Sequence, residues 1–208
     1  EEIWHFAEAT LQAAITEMGK DFVINEGDGA FYGPKIDFHL EDSIGRTWQC
    51  GTIQLDMQMP ERFELEYTAA DGTKKRPVMI HRVCFGSIER FIGILIEHFA
   101  GQFPVWLSPV QVKVLPISEK FADYAKSVED ALDAAGIRVE TDNRAEKIGY
   151  KIREARNERV PYIIVVGEKD QEANMVSLRS RKNGEEGQVA LADFIARIKE
   201  EIDTKVLD

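Results

Sequence analysis

Apolar residues recur at helical intervals through the opening segment EEIWHFAEATLQAAITEMG, where Ile3, Ala7, Leu11, Ala14, Ile15 and Met18 share one side of the period. Gly19 stands where such a helix would end. From residue 21 the rhythm changes. DFVINEGDGAFYGPKIDFHLEDSIGRTWQCGTIQLDMQM alternates short aliphatic and aromatic runs with polar residues, punctuated by Gly27, Gly29, Gly33, Pro34, Gly45 and Gly51. That texture predicts strands joined by turns, in antiparallel pairing. FELEYTAADGTKKRPVMIH repeats it, with Asp71-Gly72 as a hairpin signal, and a helix follows over 87–100, stopped by Gly101.

QFPVWLSPVQ, with two prolines in ten residues, reads as a linker. Beyond it, VQVKVLPIS, EKFADYAKSVEDALDAAG, IRVETD, EKIGYKIREARNERV, PYIIVVG, MVSLRSR and ADFIARIKEEI alternate strand and helix patterns. Two domains are expected. Residues 1–107 form an α+β unit with an antiparallel sheet, and residues 108–208 a small α/β unit with helices on a largely parallel or mixed sheet.

Composition narrows the class. The 208 residues, 44% hydrophobic and 30% charged, are ordinary for a globular protein and long enough for two cores. Glu97 and His98 interrupt the longest apolar run, so no membrane span is expected, and no secretion leader is visible. The chain begins Glu-Glu without methionine, which suggests a piece of a longer polypeptide. Two cysteines, Cys50 and Cys84, are too few for a disulfide scaffold and suit a reducing cytoplasm. The net charge of −11 argues against binding DNA or other nucleic acid through an overall field. Residues 138–182 reverse that sign, with 11 basic against 8 acidic side chains, so a local basic face is open to them.

Four features of the first domain carry candidate chemistry. Tyr32 and Lys35 flank the rigid turn Gly33-Pro34, which can hold both toward one cleft, although an ordinary surface turn fits as well. In RTWQCGTIQLD, strict alternation sends Gln49, Gly51, Ile53 and Leu55 one way and Cys50, Thr52, Gln54 and Asp56 the other. Gln49 or Gln54 would then face a side its neighbours prefer apolar, unless a bulge at Gly51 re-aims it. A small polar ligand or a solvent-facing strand would each suit such residues. His81 closes the strand PVMI with no second histidine at ligand spacing, so these residues alone leave it packed, solvated or metal-bound. Arg90 lies on the first turn of a helix apolar on nearly all sides, GSIERFIGILIEHF, which predicts burial. A buried guanidinium needs an anion, because burying it alone costs several kcal/mol. Glu89 projects about 100° away around the helix. A ligand phosphate, a flat base or a carboxylate elsewhere in the chain would each serve.

The segments GAFYGPKIDF, RTWQCGTIQLD and HRVCFGSIERFIGILIEHFAGQFPVWLSPVQV together resemble the threonyl-tRNA synthetase family of class II aminoacyl-tRNA synthetases, the last matching the third signature motif of that class. AGIRVETDNRAEKIGYKIREARNERVPYIIVVGEKD is similar to that family's anticodon-binding domain, so the likeness covers nearly the whole chain. It implies the C-terminal portion of an antiparallel-sheet catalytic core, then an anticodon-binding domain with a mixed sheet.

The resemblance also implies roles. His81 matches one of three protein ligands of an active-site zinc that binds the amino and hydroxyl groups of threonine. Arg90 matches the motif arginine that contacts ATP, Gln49 and Thr52 match ATP-site residues, Tyr32 and Gln54 line the threonine pocket, and Lys35 is a cation of the same cleft. Cys50 is read as pocket wall. Arg153, Asp170 and Arg179 match positions used for anticodon bases or adjoining phosphates, with Asp170 shorter than the family's usual glutamate. The implied partners are ATP with Mg2+, threonine, tRNA(Thr) and a second subunit in a homodimer, with no DNA and no membrane. The other two zinc ligands and the first two class motifs are expected upstream of Glu1. The piece alone is therefore expected to be inactive and to expose apolar surface. A non-catalytic anticodon-binding module carrying a core remnant is the alternative, and a metabolite sensor on a synthetase fold a third.

Overall fold

The structure is a computed structural model and describes residues 2–207. They form two compact units, one up to Ile94 and one from Leu95 onward. No helix among the described residues is long and apolar enough to cross a membrane.

In the first unit, α1 (Glu2–Glu17) ends as its sequence predicts. Gly19 adopts φ +63°, the left-handed conformation that closes a helix at least steric cost. Strands β1 (Lys35–Glu41) and β2 (Thr47–Asp56) pair antiparallel. The short helix α2 (Met59–Arg62) leads to a two-stranded ribbon, β3 (Tyr67–Thr68) and β4 (Lys74–Lys75), turned at Asp71-Gly72 as the hairpin signal predicts. Then β5 (Met79–Val83) pairs antiparallel with β2, giving the sheet order β1-β2-β5.

Helix α3 (Ile88–His98) follows a turn at Gly86, with the Ser87 hydroxyl accepting the Arg90 backbone N–H. Here one expectation is corrected. No residue of α3 is buried, and Ile88, Ile92 and Ile96 are 65%, 47% and 48% exposed. The helix is amphipathic rather than enclosed: Phe91 stacks on Phe85 at 4.3 Å while the isoleucine stripe at i, i+4, i+8 stands open among the described residues. The apolar surface expected of this unit is present, at Ile3, Phe6, Phe31 and Ile80 as well.

The second unit comprises β6 (Val112–Pro116), a 3-10 turn (Glu119–Phe121), α4 (Ala122–Ala134), β7 (Val139–Thr141), α5 (Ile148–Asn157), β8 (Tyr162–Val166), α6 (Glu168–Ala173), β9 (Met175–Ser180), β10 (Gly184–Ala190) and α7 (Leu191–Asp203). The sheet order is β10-β9-β8-β6-β7, mixed: β6 runs parallel to β7 and β8, whereas β8, β9 and β10 are antiparallel in turn. VKVLP and YIIVV are buried along their whole length, Lys113 included, as strands covered on both faces of a sheet should be. On one side Val112, Val114, Ile164 and Leu178 meet Val128, Leu132, Phe194 and Ile198 of α4 and α7. On the other, Leu115, Ile163 and Val165 meet Ile148, Ile152 and Ala155 of α5. On that side β9 presents half-buried polar residues, Ser177 and Arg179, instead of a core.

Candidate functional site

Register builds a polar surface in the first unit. Lys35 pairs with Gln54, and Gln54 with His81, so these three form a row across the sheet on one face. Asp37, Thr52 and Val83 form the next row. Beyond it the register slips. Phe38 pairs with Gly51 but His39 with Gln49, so Cys50 is the extra residue of a β-bulge. The bulge falls one residue from the position the sequence suggested, and its effect is the one required: Gln49 moves to the face of Thr52. Cys50 itself is buried.

Asp37 ties this face together. Its Oδ1 accepts Gln49 Nε2 at 2.7 Å and Thr52 Oγ1 at 2.7 Å, and its Oδ2 accepts Lys35 Nζ at 2.6 Å. Burial pushes the Asp37 carboxyl up, but the hydrogen bonds from Lys35, Thr52 and Gln49 together outweigh it and hold the group below its ordinary value. The hydrogen bond to Asp37 raises the Lys35 ammonium above its own. At neutral pH both are charged.

Tyr32 is delivered by a turn that only glycine allows. A β-carbon on Gly33 would lie 1.9 Å from the Leu55 carbonyl oxygen, because Pro34 O accepts Leu55 N–H and draws the two backbones together. Tyr32 OH then donates to Gln54 Oε1 at 3.0 Å, with its ring edge-on to His81 at 6.3 Å. The His81 Nε2 lies 2.9 Å from Oδ2 of the buried Asp56, whose Oδ1 accepts the backbone N–H groups of Gln58 and Met59 at 2.9 Å each. Those bonds, led by that from Met59, hold Asp56 below its ordinary value, so it is an anionic acceptor. Facing that carboxylate, Nε2 is the ring nitrogen that donates.

A carboxylate behind a histidine is the arrangement that orients metal-binding imidazoles. Among the described residues no group of three His, Cys, Asp or Glu side chains could hold a metal ion.

Arg90 is exposed, contrary to expectation, and its Nη2 donates to the Gln49 carbonyl at 2.6 Å. Its partner in this chain is the backbone of the bulge rather than an anion. Gly86, at φ +68°, gives it room: a β-carbon there would lie 3.1 Å from Nη2 and 3.0 Å from the Cys50 carbonyl oxygen. The guanidinium's other donors have no partner among the described residues.

In the second unit Arg153, exposed on α5, lies over the Tyr150 ring at 5.5 Å. Arg179, on β9, pairs with Glu185 at 2.8 Å. Asp170 requires a correction. It is 4% exposed, and its oxygens accept Gly167 N–H at 3.0 Å, Ser177 Oγ at 2.7 Å and Gln188 Nε2 at 2.9 Å. It pins the start of α6 to β9 and β10, and is not presented as a base-reading group.

Asp37 and Asp56 were missed by sequence reasoning. The signal for Asp37 was available: two residues beyond Lys35 on a strand is the same face. Asp56 likewise shares a face with Gln54.

The chain matches the family described as "tRNA synthetase class II core domain (G, H, P, S and T)" over residues 1–99 and that described as "Anticodon binding domain" over 111–201. It is 64% identical over 205 residues to a threonine–tRNA ligase of Clostridioides difficile (strain 630), and 65% identical over 205 residues to that of Acetivibrio thermocellus. Each alignment covers 99% of this chain and 32% of the relative, so the chain spans about a third of the length of the curated relatives it matches. Among solved structures it is similar to the RNA binding domain of threonyl-tRNA synthetase from Cryptosporidium parvum Iowa II. There the TM-score is 0.85 at 44% identity, over 96% of this chain and 50% of that one. A putative threonyl-tRNA synthetase from Aeropyrum pernix gives a TM-score of 0.68 at 29% identity, over 98% of this chain and 50% of that one.

Proposed function

The chain belongs to the class II aminoacyl-tRNA synthetases, within their threonine-specific family, and on that premise we propose that it supplies part of the aminoacylation site and the anticodon reader of a threonine–tRNA ligase. The whole enzyme would join threonine to ATP, giving threonyl-adenylate and pyrophosphate, and then pass the threonyl group to tRNA(Thr). The observation that carries this reading is the single polar face holding Tyr32, Lys35, Gln49, Thr52, Gln54 and His81 around two carboxylates, the half-buried Asp37 and the buried Asp56.

The first step is an in-line attack of the threonine carboxylate on the α-phosphate, so positioning and charge neutralisation are what the protein must provide. Lys35 and the unoccupied donors of Arg90 suit the phosphates, with Mg2+ accompanying ATP. Gln49 and Thr52, fixed by Asp37, present hydrogen-bonding atoms to the nucleotide. The linked pair Tyr32 and Gln54 borders the threonine side. His81, oriented by Asp56, would hold zinc as one of its ligands, the others coming from outside these 208 residues. Zinc, when bound, supplies a Lewis-acidic position that a hydroxyl can occupy and the methyl of valine cannot, where apolar packing alone separates such isosteres poorly. In the second unit Arg153 and Arg179 would contact the anticodon, and Asp170 would hold the sheet edge they work from. A cytoplasmic homodimer is the proposed setting.

The second unit has cores on both sides of its sheet, which favours a reading in which it works as a self-sufficient RNA-binding module. Two measurements separate the claims. Purified chain should retard tRNA(Thr) in preference to a tRNA with another anticodon, and equal retardation would remove the anticodon reader. Threonine-dependent pyrophosphate exchange should stay at background for this chain and appear in a polypeptide of the relatives' full length. A threonine-dependent rate from the chain alone would refute the shared site.

A further inference from the structure

The hairpin joining β9 to β10 reads Ser180-Arg181-Lys182-Asn183-Gly184, and Asn183-Gly184 is the one asparagine–glycine pair among the five asparagines of the chain. Asparagine is chemically labile because its side-chain carbonyl is open to attack by the backbone nitrogen of the next residue. A glycine at that next position brings no β-carbon to hinder the approach and the freest backbone to make it. The other four asparagines are held back. Asn25 and Asn143 precede Glu26 and Arg144, and the Arg144 N–H is engaged by Asp142 Oδ1 at 3.1 Å. Asn157 lies in α5, with Glu158 N–H on Glu154 O at 2.9 Å, and Asn174 ends α6 in front of Met175.

Asn183 is exposed at the hairpin tip. Gly184 has φ +75°, and a β-carbon on it would meet nothing within 4 Å, so the ground around it is clear. Among the described residues one contact holds the side-chain amide: Asn183 Nδ2 donates to Glu186 Oε1 at 3.2 Å, while Arg197 Nη1 draws the same carboxylate from the other side, 2.6 Å from Oε2. The Arg197 guanidinium beside it, with bonds from Ser180 and Asn183, holds the Glu186 carboxyl down to about 2 despite its burial. Behind Glu186 the contacts run into the core. Arg197 Nη2 donates to the Tyr162 hydroxyl at 3.0 Å, and the Tyr162 ring meets Phe194 edge-on at 5.1 Å.

We propose that Asn183-Gly184 is a self-modifying site: in water and without an enzyme the asparagine becomes aspartate or isoaspartate, and the new carboxylate unpins the hairpin from Glu186. The Gly184 nitrogen bonds to Asn183 Cγ as the Cγ–Nδ2 bond breaks, and the Gly184 amide proton leaves with that nitrogen as ammonia. Water then opens the succinimide. Opening at Cγ gives aspartate; opening at the Asn183 backbone carbonyl gives isoaspartate, whose main chain runs through the former side chain and is one methylene longer. Nothing is oxidised or reduced. Either product replaces a donor to Glu186 with an anion facing it, so attraction becomes repulsion. Isoaspartate also lengthens a turn that sets the register of two paired strands. None of this depends on the reading of the unit as an RNA binder.

The test ages the purified chain at mildly alkaline pH and follows each asparagine by peptide mapping and mass spectrometry, with isoaspartate counted by an isoaspartyl methyltransferase. A synthetic peptide of residues 178–188 sets the unfolded rate. One exposed hydrogen bond slows the reaction by about tenfold at most, so Asn183 in the folded chain should convert within about tenfold of the peptide. The other four asparagines should stay intact over the same period. Slower conversion than that, or conversion no faster than at Asn25 or Asn143, would overturn the site. N183D presents the aspartate product from the start, and N183Q keeps an amide whose longer side chain cyclises far more slowly. N183D and the aged chain should each melt about 2–4 °C below the fresh parent, whereas aged N183Q should melt as fresh N183Q does. An unchanged melting temperature in both N183D and the aged chain would overturn the unpinning. So would a fall in aged N183Q as large as that in the aged parent, since the damage would then lie elsewhere.

Discussion

Replacing Asp170 with alanine distinguishes a structural pin from a base reader. The substitution leaves three donors without their acceptor, and they are not equivalent. The buried Gly167 N–H cannot turn to water, and stranding it costs about 1–3 kcal/mol. The half-buried Ser177 hydroxyl can rotate to a new partner and loses about 0.5–1 kcal/mol, while the exposed Gln188 amide is rehydrated at little cost. The reach of Asp170 back to the cap of α6 lies within the same Gly167 bond and is not counted twice. The total is about 3 kcal/mol. For a unit of this size about 4 °C of melting temperature accompanies each kcal/mol, so its transition should fall by about 12 °C. Circular dichroism of the chain, read beside RNA binding at a temperature well below the transition, is the assay. Asp170→Asn, which keeps one oxygen acceptor, should fall between. Should Asp170→Ala melt within about 2 °C of the parent while RNA affinity collapses, the pin is wrong and the side chain reads RNA after all.

Gly33→Ala forces a β-carbon onto the Leu55 carbonyl, which is backbone and cannot swing away, so the first unit should lose about 1–3 kcal/mol in chemical denaturation. Gly93→Ala on α3 meets nothing within 4 Å and should be neutral or slightly stabilising; equal losses at the two sites would refute the steric account. The Asp37 carboxyl, held below its ordinary value, adds stability that is present above the unfolded-state pKa and lost as pH falls through the folded-state one. The first unit should accordingly weaken below about pH 4, and Asp37→Asn should flatten that slope. A slope that survives the substitution would assign it to another carboxyl.

What the chain's pattern disclosed was local. The runs VKVLP and YIIVV announced buried strands, Gly19 a helix stop and Asp71-Gly72 a hairpin, because each depends on residues within a few positions. Misread features depend on distant partners. The bulge at Cys50 is set by how β1 pairs with β2, and a strand read alone cannot say which residue is skipped. Apolar content on several sides of α3 suggested burial, yet burial is decided by what packs there, and its isoleucines stand open. Asp170 carried the right chemistry for an RNA contact, and only the fold reveals that Gly167, Ser177 and Gln188 have already claimed its oxygens. Arg159 gave no hint of a left-handed backbone, since the residue type argues against one.

In each unit the grouping of side chains turns on a departure from regular geometry, and the departure explains the placement. In a regular strand Gln49 and Thr52, three apart, would point to opposite faces; one extra residue between them puts both on Asp37. The same bulge turns the Gln49 carbonyl toward Arg90, so a single inserted residue couples the first turn of α3 to the polar face. Arg159 does the comparable thing at a helix end: the left-handed residue reverses the chain so that its carbonyl meets Arg181 and its side chain lines a hollow with Arg156. Regular secondary structure would scatter these groups. The left-handed backbone at Arg159 is offset by the buried core beneath α5, and the bulge at Cys50 is held by the pairing of β1 with β2, so precision at these places is drawn from the stability of elements that carry no chemistry themselves.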